Sequence, residues 1–154
     1  VSAPADPLAH LPLLNPEDFT GCFVCGPDNP HGLALRIHRD GDEAVARYTP
    51  PAHQEGWPGR FHGGLVGLLV DEMVVYAGAV HGHRGMTARV AYRLLAPLAP
   101  GAPLTLRSRV TRGSARGFRA EVTVHDAQGR LAATGEGTCV PWDGGGGPDE
   151  GDGA

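Results

Sequence analysis

One stretch limits what this chain can become more than any other. HGGLVGLLVDEM, residues 62–73, opens a run that stays apolar nearly all round to residue 80, broken only by Asp71 and Glu72. A helix apolar on every side must be buried on every side. The stop signal His81-Gly82-His83 predicts a helix from His62 or Gly63 to about Ala79. With the two acids inside it, the run is too interrupted to span a membrane.

Around this helix the hydrophobic period is two. Leu104, Leu106 and Val110 alternate with Arg107 and Arg109 in LTLRSRVT, and FRAEVTVH (118–125) alternates in the same way. That pattern makes antiparallel strands with one wet face. MTARVAYRLL (86–95) and LAATGEGTCV (131–140) read as two more strands. LALRIHRDG and EAVARYTP form an earlier pair joined at Asp40-Gly41-Asp42. The turns GSARG and AQG separate the later strands. The expected architecture is α+β, a curled antiparallel sheet of about six strands wrapped around one long helix. One sheet covers only part of such a helix, so a second copy of the chain is the expected cover.

The 154 residues suit one domain: an N-terminal extension (1–21, with a turn near NPEDF), a folded body (22–141) and a glycine-rich acidic tail (142–154) expected to be disordered. CFVCGPDNPHG (22–32) reads as an ordered loop. The net charge of −4 comes from the tail; the remainder carries thirteen acids against thirteen arginines. A near-neutral body lacks the basic patch that nucleic acid requires. The N-terminus has neither a charged start nor a long apolar run, so no secretory leader is expected. Three cysteines do not suggest a disulfide framework, and a cytoplasmic location is the expectation.

The helix run also carries chemistry. Glycines at 63 and 64 put free N–H groups and a positive dipole end where a ligand can approach, which suits an oxyanion. Asp71, in apolar surroundings, is expected to have a raised pKa, as a general base needs. These two positions lie about 12 Å apart along one helix axis, too far to serve one reacting carbonyl. Two helices lying antiparallel across a twofold axis bring Gly63 of one chain to Asp71 of the other. Glu72, about 100° further round, cannot share that site and reads as structural, paired with an arginine. His62 reads as a residue that fixes the helix start by bonding loop backbone, in preference to a base.

The residues GWPGRFHGG, with an acid nine positions after His62, resemble the hotdog-fold acyl-CoA thioesterases, in particular the phenylacetate-pathway (PaaI-like) and 4-hydroxybenzoyl-CoA thioesterase types. CFVCGPDNPHGL resembles an opening segment of many members of that family, and the likeness covers roughly residues 22–140. It implies a hydrolase of CoA thioesters, a homodimer or pair of dimers with sites at the subunit interface. It implies that the Gly63 N–H holds the thioester carbonyl, that Asp71 is base or nucleophile, and that Thr87 helps to place water. Gly56 stands where some members carry a supporting amide, and the preceding Gln54 and Glu55 are candidates for that role.

Substrate-binding candidates are Gly64, Gln54, Glu55 and, for the CoA phosphates, Arg112 and Arg116 at a hairpin tip. Leu65, Leu69, Val90 and Tyr92 read as core before they read as an acyl pocket. No cofactor is expected. No metal is expected either: Cys22, Cys25 and His31 make three ligands where a structural zinc needs four, and His81 with His83 makes two. Without a G-x-S-x-G elbow or a phosphate loop, serine hydrolase and nucleotidase chemistry are not expected. The expected function is acyl-CoA thioester hydrolysis. The alternatives are a non-catalytic acyl-CoA-binding module and a hotdog dehydratase or hydratase.

Overall fold

The computed structural model describes residues 5–142, so most of the acidic tail falls outside the described residues. The strands are β1 (Ile37–Asp40), β2 (Glu43–Tyr48), β3 (Gly85–Leu94), β4 (Leu104–Ser114), β5 (Gly117–His125) and β6 (Leu131–Pro141). A single α-helix, α1 (Gly63–Ala79), separates β2 from β3, preceded by a 3-10 turn at Ala52–Gln54. All pairings are antiparallel, in the order β1-β2-β4-β5-β6-β3. The architecture is the expected curled sheet around one helix. No helix among the described residues is long and apolar enough to cross a membrane.

The helix forms where its end signals place it. His62 stays extended (φ −64°, ψ 124°) as N-cap, and its Nδ1 accepts the Gly64 N–H at 3.0 Å. At the other end, the His81 and His83 N–H groups both donate to the Gly78 carbonyl, and Gly82 turns the chain away at φ +75°. Between these ends Val66, Leu69, Val70, Met73, Val74 and Ala77 are buried against Leu104, Leu106, Val122 and Val124 of the sheet. Each large side chain removed from water here stabilises the fold by roughly 1.5–3 kcal/mol. Ser108, at the inward position where alternation in β4 puts a polar residue, donates its hydroxyl to the Met73 carbonyl at 2.7 Å. The helix is thereby tied to the sheet by a buried hydrogen bond as well as by packing.

Helix and sheet approach closely because β6 omits side chains under α1. A Cβ at Gly137 would lie 2.7 Å from Val74 Cγ1, and one at Gly135 would overlap Val70 Cγ1. Both valines branch at Cβ and have little rotamer freedom in a helix. Gly135→Ala is therefore expected to cost about 1–3 kcal/mol. A urea titration should show a lower midpoint at unchanged slope; an unchanged midpoint would mean that the helix can ride outward freely.

One strand is shorter than its sequence suggests. LALRIHRDG reads as a strand throughout, but β1 starts only at Ile37. Ala34 has φ +48°, and the Leu33 and Leu35 N–H groups donate to Phe23 and Val24 carbonyls in the preceding loop. Asn15 fastens the same region: its side chain donates to the Cys25 and Leu35 carbonyls and accepts the Ile37 N–H at 2.7 Å. Chain 11–15 thus lies along β1, bridged at Leu13 and His38. Near NPEDF only a turn at Glu17 and Asp18 forms.

Two features remain open. β3 is a ten-residue edge strand whose Met86, Val90, Tyr92 and Leu94 are exposed at 57%, 37%, 43% and 50%. Along α1, Gly64 is exposed and Leu68, Asp71, Glu72 and Val75 are only half-buried, so the helix is not covered on every side within one chain.

Candidate functional site

Gly64, Gly67, Leu68 and Asp71 of α1 form one wall of a groove of about 520 Å³; Thr87, Ala88, Arg89, Val90 and Tyr92 of β3 form the other. These faces meet because Gly67 carries no side chain. A Cβ there would lie 2.5 Å from the Tyr92 ring, so the glycine is the notch into which the tyrosine packs. The sequence reading singled out neither Gly67 nor this contact. Val90 and Tyr92 line the groove, Leu65 is half-buried, and Leu69 is fully buried core.

Asp71 points into this groove without an ion-pair partner among the described residues. Thr87 stands across from it. Its Oγ1 is buried and has no hydrogen-bond partner among the described residues. A buried hydroxyl left unpaired costs free energy. Thr87 itself lines the groove, with its hydroxyl turned inward beside the buried Cys139 thiol. The register shift in β3 falls between Thr87 and Arg89, and such a bulge re-aims side chains.

The helix start is built from behind. Gln54 is buried; its Oε1 accepts the Tyr48 hydroxyl at 2.6 Å, and its backbone carbonyl accepts the His62 N–H at 3.0 Å. Gly56 packs on His62 so closely that a Cβ there would lie 3.1 Å from the imidazole. Glu55 is exposed and takes the Gly59 N–H at 2.8 Å, closing the 55–61 loop. The outcome is a fixed His62 whose Nδ1 is used by Gly64. The neighbouring Gly63 N–H finds no acceptor among the described residues. His62 therefore fixes the helix start, as its sequence context suggested.

One expectation needs correction, the arginine partner of Glu72. Asp71 is half-buried in the single chain, and burial pushes the neighbouring Glu72 carboxyl upward. Hydrogen bonds from the Cys25 and Cys22 thiols oppose that rise, and the Asp71 charge adds to it. Glu72 has no arginine partner among the described residues; its carboxylate meets Cys22 Sγ at 3.9 Å. Burial likewise pushes the Cys25 thiol and the Tyr76 hydroxyl upward. The adjacent acids thus face different surroundings, Asp71 the groove by β3 and Glu72 the N-terminal loop.

The remaining candidates do not converge on the groove within one chain. Arg112 and Arg116 are exposed at the β4–β5 tip. That tip lies by the C-terminal end of α1, where Phe118 packs on Gly78 and stacks with His83 at 6.2 Å, while Gly63 lies at the opposite end.

Residues 58–133 match the family model of the thioesterase superfamily. No curated protein matches the sequence. Among solved structures, a thioesterase superfamily protein superposes with a TM-score of 0.72 at 28% identity, over 77% of this chain and 62% of that one. This chain thus spans less than two thirds of that relative. The Thermus thermophilus phenylacetic acid degradation protein PaaI, solved as a mutant, gives 0.65 at 26% identity, covering 71% of this chain and 95% of that one. A Streptococcus mutans protein solved with acetyl-CoA shares the fold at 17% identity (TM-score 0.62, 70% of this chain, 88% of that one). Over residues 58–133 the chain is similar to the thioesterase superfamily, and its fold is the hotdog fold, with PaaI proteins among its structural neighbours.

Proposed function

We propose that this protein is an acyl-CoA thioesterase acting as a homodimer or a pair of dimers. The observation that carries the reading is the open groove between α1 and the β3 edge, lined by Asp71 on the helix and Thr87 on the strand. A long apolar edge strand is a template for pairing, and a second copy is the partner that satisfies it symmetrically. Pairing β3 with β3 across a twofold axis lays the two α1 helices side by side and antiparallel. Gly63 of one chain then meets Asp71 of the other, and each dimer has two sites.

In that arrangement the Gly63 N–H at the positive end of α1 holds the thioester oxygen as charge develops on it. The Thr87 hydroxyl orients a water, and the Asp71 carboxylate takes its proton as the water attacks the carbonyl carbon. Direct attack by Asp71, giving an anhydride that water then cleaves, balances equally well. In either case CoA leaves as its thiol. Gly64 lets substrate approach the helix start, Gln54 and Glu55 brace the loop behind it, and Arg112 and Arg116 reach the CoA phosphates. The His62 Nδ1 is already used in capping, which favours hydrolysis over a hydratase chemistry that works through histidine. The PaaI neighbour comes from phenylacetic acid degradation, and the S. mutans neighbour was solved with acetyl-CoA, which makes a CoA thioester the ligand class to test first.

The test is a panel of short, medium, long and aryl acyl-CoAs with free-thiol detection, run beside calorimetry. Catalytic thiol release on at least one of them is expected. Binding to acyl-CoA without release over hours would leave a binding module in place of an enzyme.

A further inference from the structure

The other flank of α1 carries a second feature that thioester hydrolysis does not use. A cavity of about 680 Å³ opens between Val75, Tyr76 and Ala79 of the helix, Phe19 and the 20–25 loop, and Trp142. In its wall, side chains from two distant segments converge. Cys22 and Cys25 come from the loop; Glu72 comes from the middle of α1. Cys22 Sγ lies 3.9 Å from Glu72 Oε1, and one ligand atom from each of the three residues lies within 4.8 Å of the others. We propose that Cys22, Cys25 and Glu72 bind one divalent cation of the zinc class, through two thiolates and a carboxylate, with a fourth position facing the cavity.

The spacing fits the ion. A tetrahedral centre with metal–sulfur bonds of about 2.3 Å and metal–oxygen bonds of about 2.0–2.2 Å has ligand–ligand edges of roughly 3.4–3.8 Å. The three atoms therefore need only small side-chain rotations. Two sulfurs and one oxygen select a thiophilic metal over magnesium or calcium.

The thiol pair is held by backbone before any metal arrives. The Gly26 N–H donates to the Cys22 carbonyl at 2.9 Å, closing the turn. A Cβ at Gly26 would lie 2.6 Å from that carbonyl oxygen, so the turn requires glycine. The carbonyls of the two intervening residues, Phe23 and Val24, accept the Leu33 and Leu35 N–H groups at 2.8 Å each. Sequence spacing alone offered His31 as the third ligand, but His31 is exposed, with its N–H on Asn29 Oδ1 at 3.0 Å. The fold supplies Glu72 instead. No basic side chain pairs with that carboxylate among the described residues, so a cation has no competitor of its own charge there. Arg84, which lines the cavity, is turned to Asp18 at 3.5 Å and to the Phe19 ring. On binding, each thiol releases its proton to solvent and the metal replaces both protons.

The experiment is a cobalt titration of the full chain, stripped with chelator and kept reduced. One equivalent of Co²⁺ should give the thiolate-to-cobalt charge-transfer band and the strong visible bands of tetrahedral cobalt, and zinc should abolish both. Cys22→Ser should remove most of the charge-transfer band, and Glu72→Gln should weaken cobalt binding at least tenfold. Both positions are half-buried and both changes keep side-chain shape, so near-UV circular dichroism should stay native. Cys139→Ser, in the third cysteine, and Asp71→Asn should bind cobalt as the parent does. Zinc should raise the melting temperature by roughly 5–10 °C over chelator. A reduced parent protein without the bands overturns the proposal, as does a natively folded Cys22→Ser protein with its bands intact. The turnover test at Asp71 leaves these ligands untouched, so failure here leaves the hydrolase reading standing, and the reverse also holds.

Discussion

Replacing Asp71 by Asn should lower turnover on the best acyl-CoA by at least about a hundredfold, within the usual range for loss of a general base. The amide keeps the shape of the side chain but takes up no proton and makes no useful nucleophile. The protein should stay folded with a melting temperature no lower than the parent's. Asp71 makes no ion pair among the described residues that the amide would break. Steady-state thiol release and a thermal melt on the same preparation check both halves. KM should change much less than kcat, since the carboxylate acts on water and not on the bound CoA. Near-parental turnover in a folded protein would remove Asp71 from the chemistry.

The choice of Asp71 over Glu72 shows what a sequence can and cannot carry. Helix α1 was legible because its signals are local: two glycines after His62, an apolar run, and a glycine past the end. β4 and β5 were legible because arginines, glutamates and threonines alternate with buried apolar residues. Which segment covers which flank of the helix is not local. Two adjacent acids differ by about 100° around the axis. That angle sends Asp71 toward β3 and Glu72 toward a loop fifty residues upstream. The sequence therefore picked out two adjacent acids but not which flank of the helix covers each.

The same distinction accounts for the shortened β1. Leu33 and Leu35 alternate as a strand would, but their hydrogen-bond partners are loop carbonyls at Phe23 and Val24, which no local pattern announces. The Gly67 notch was legible in part. A glycine in the middle of a helix weakens it unless something packs there. The missing information was Tyr92, which arrives from β3 twenty-five residues later.

The largest effect expected of the shared site comes from mixing two defective proteins. One carries Asp71→Asn and the other Gly63→Pro, which removes the N–H proposed to hold the oxyanion. The geometry tolerates proline at that position. Gly63 is the first residue of α1, His62 before it has the extended ψ of 124° that a following proline requires, and proline suits the first turn. A Cβ at Gly63 would lie 2.8 Å from Leu94 Cδ1, the end of a flexible side chain that is half exposed and can turn away. Each homodimer should be nearly inactive. After the two are unfolded and refolded together in equal amounts, about half the dimers are mixed. In a mixed dimer one site joins an intact Gly63 from one chain to an intact Asp71 from the other, and the second site holds both defects. Activity should return to roughly a quarter of the parent's if the two sites act independently. If each site were built within one chain, every site in the mixture would carry a defect and nothing would return. Mass spectrometry of the refolded mixture establishes that mixed dimers are present, and circular dichroism that each variant is folded. Activity held at the level of the separate variants under those conditions would rule out a site shared between Gly63 of one chain and Asp71 of the other, and leave the β3 edge without its proposed catalytic purpose.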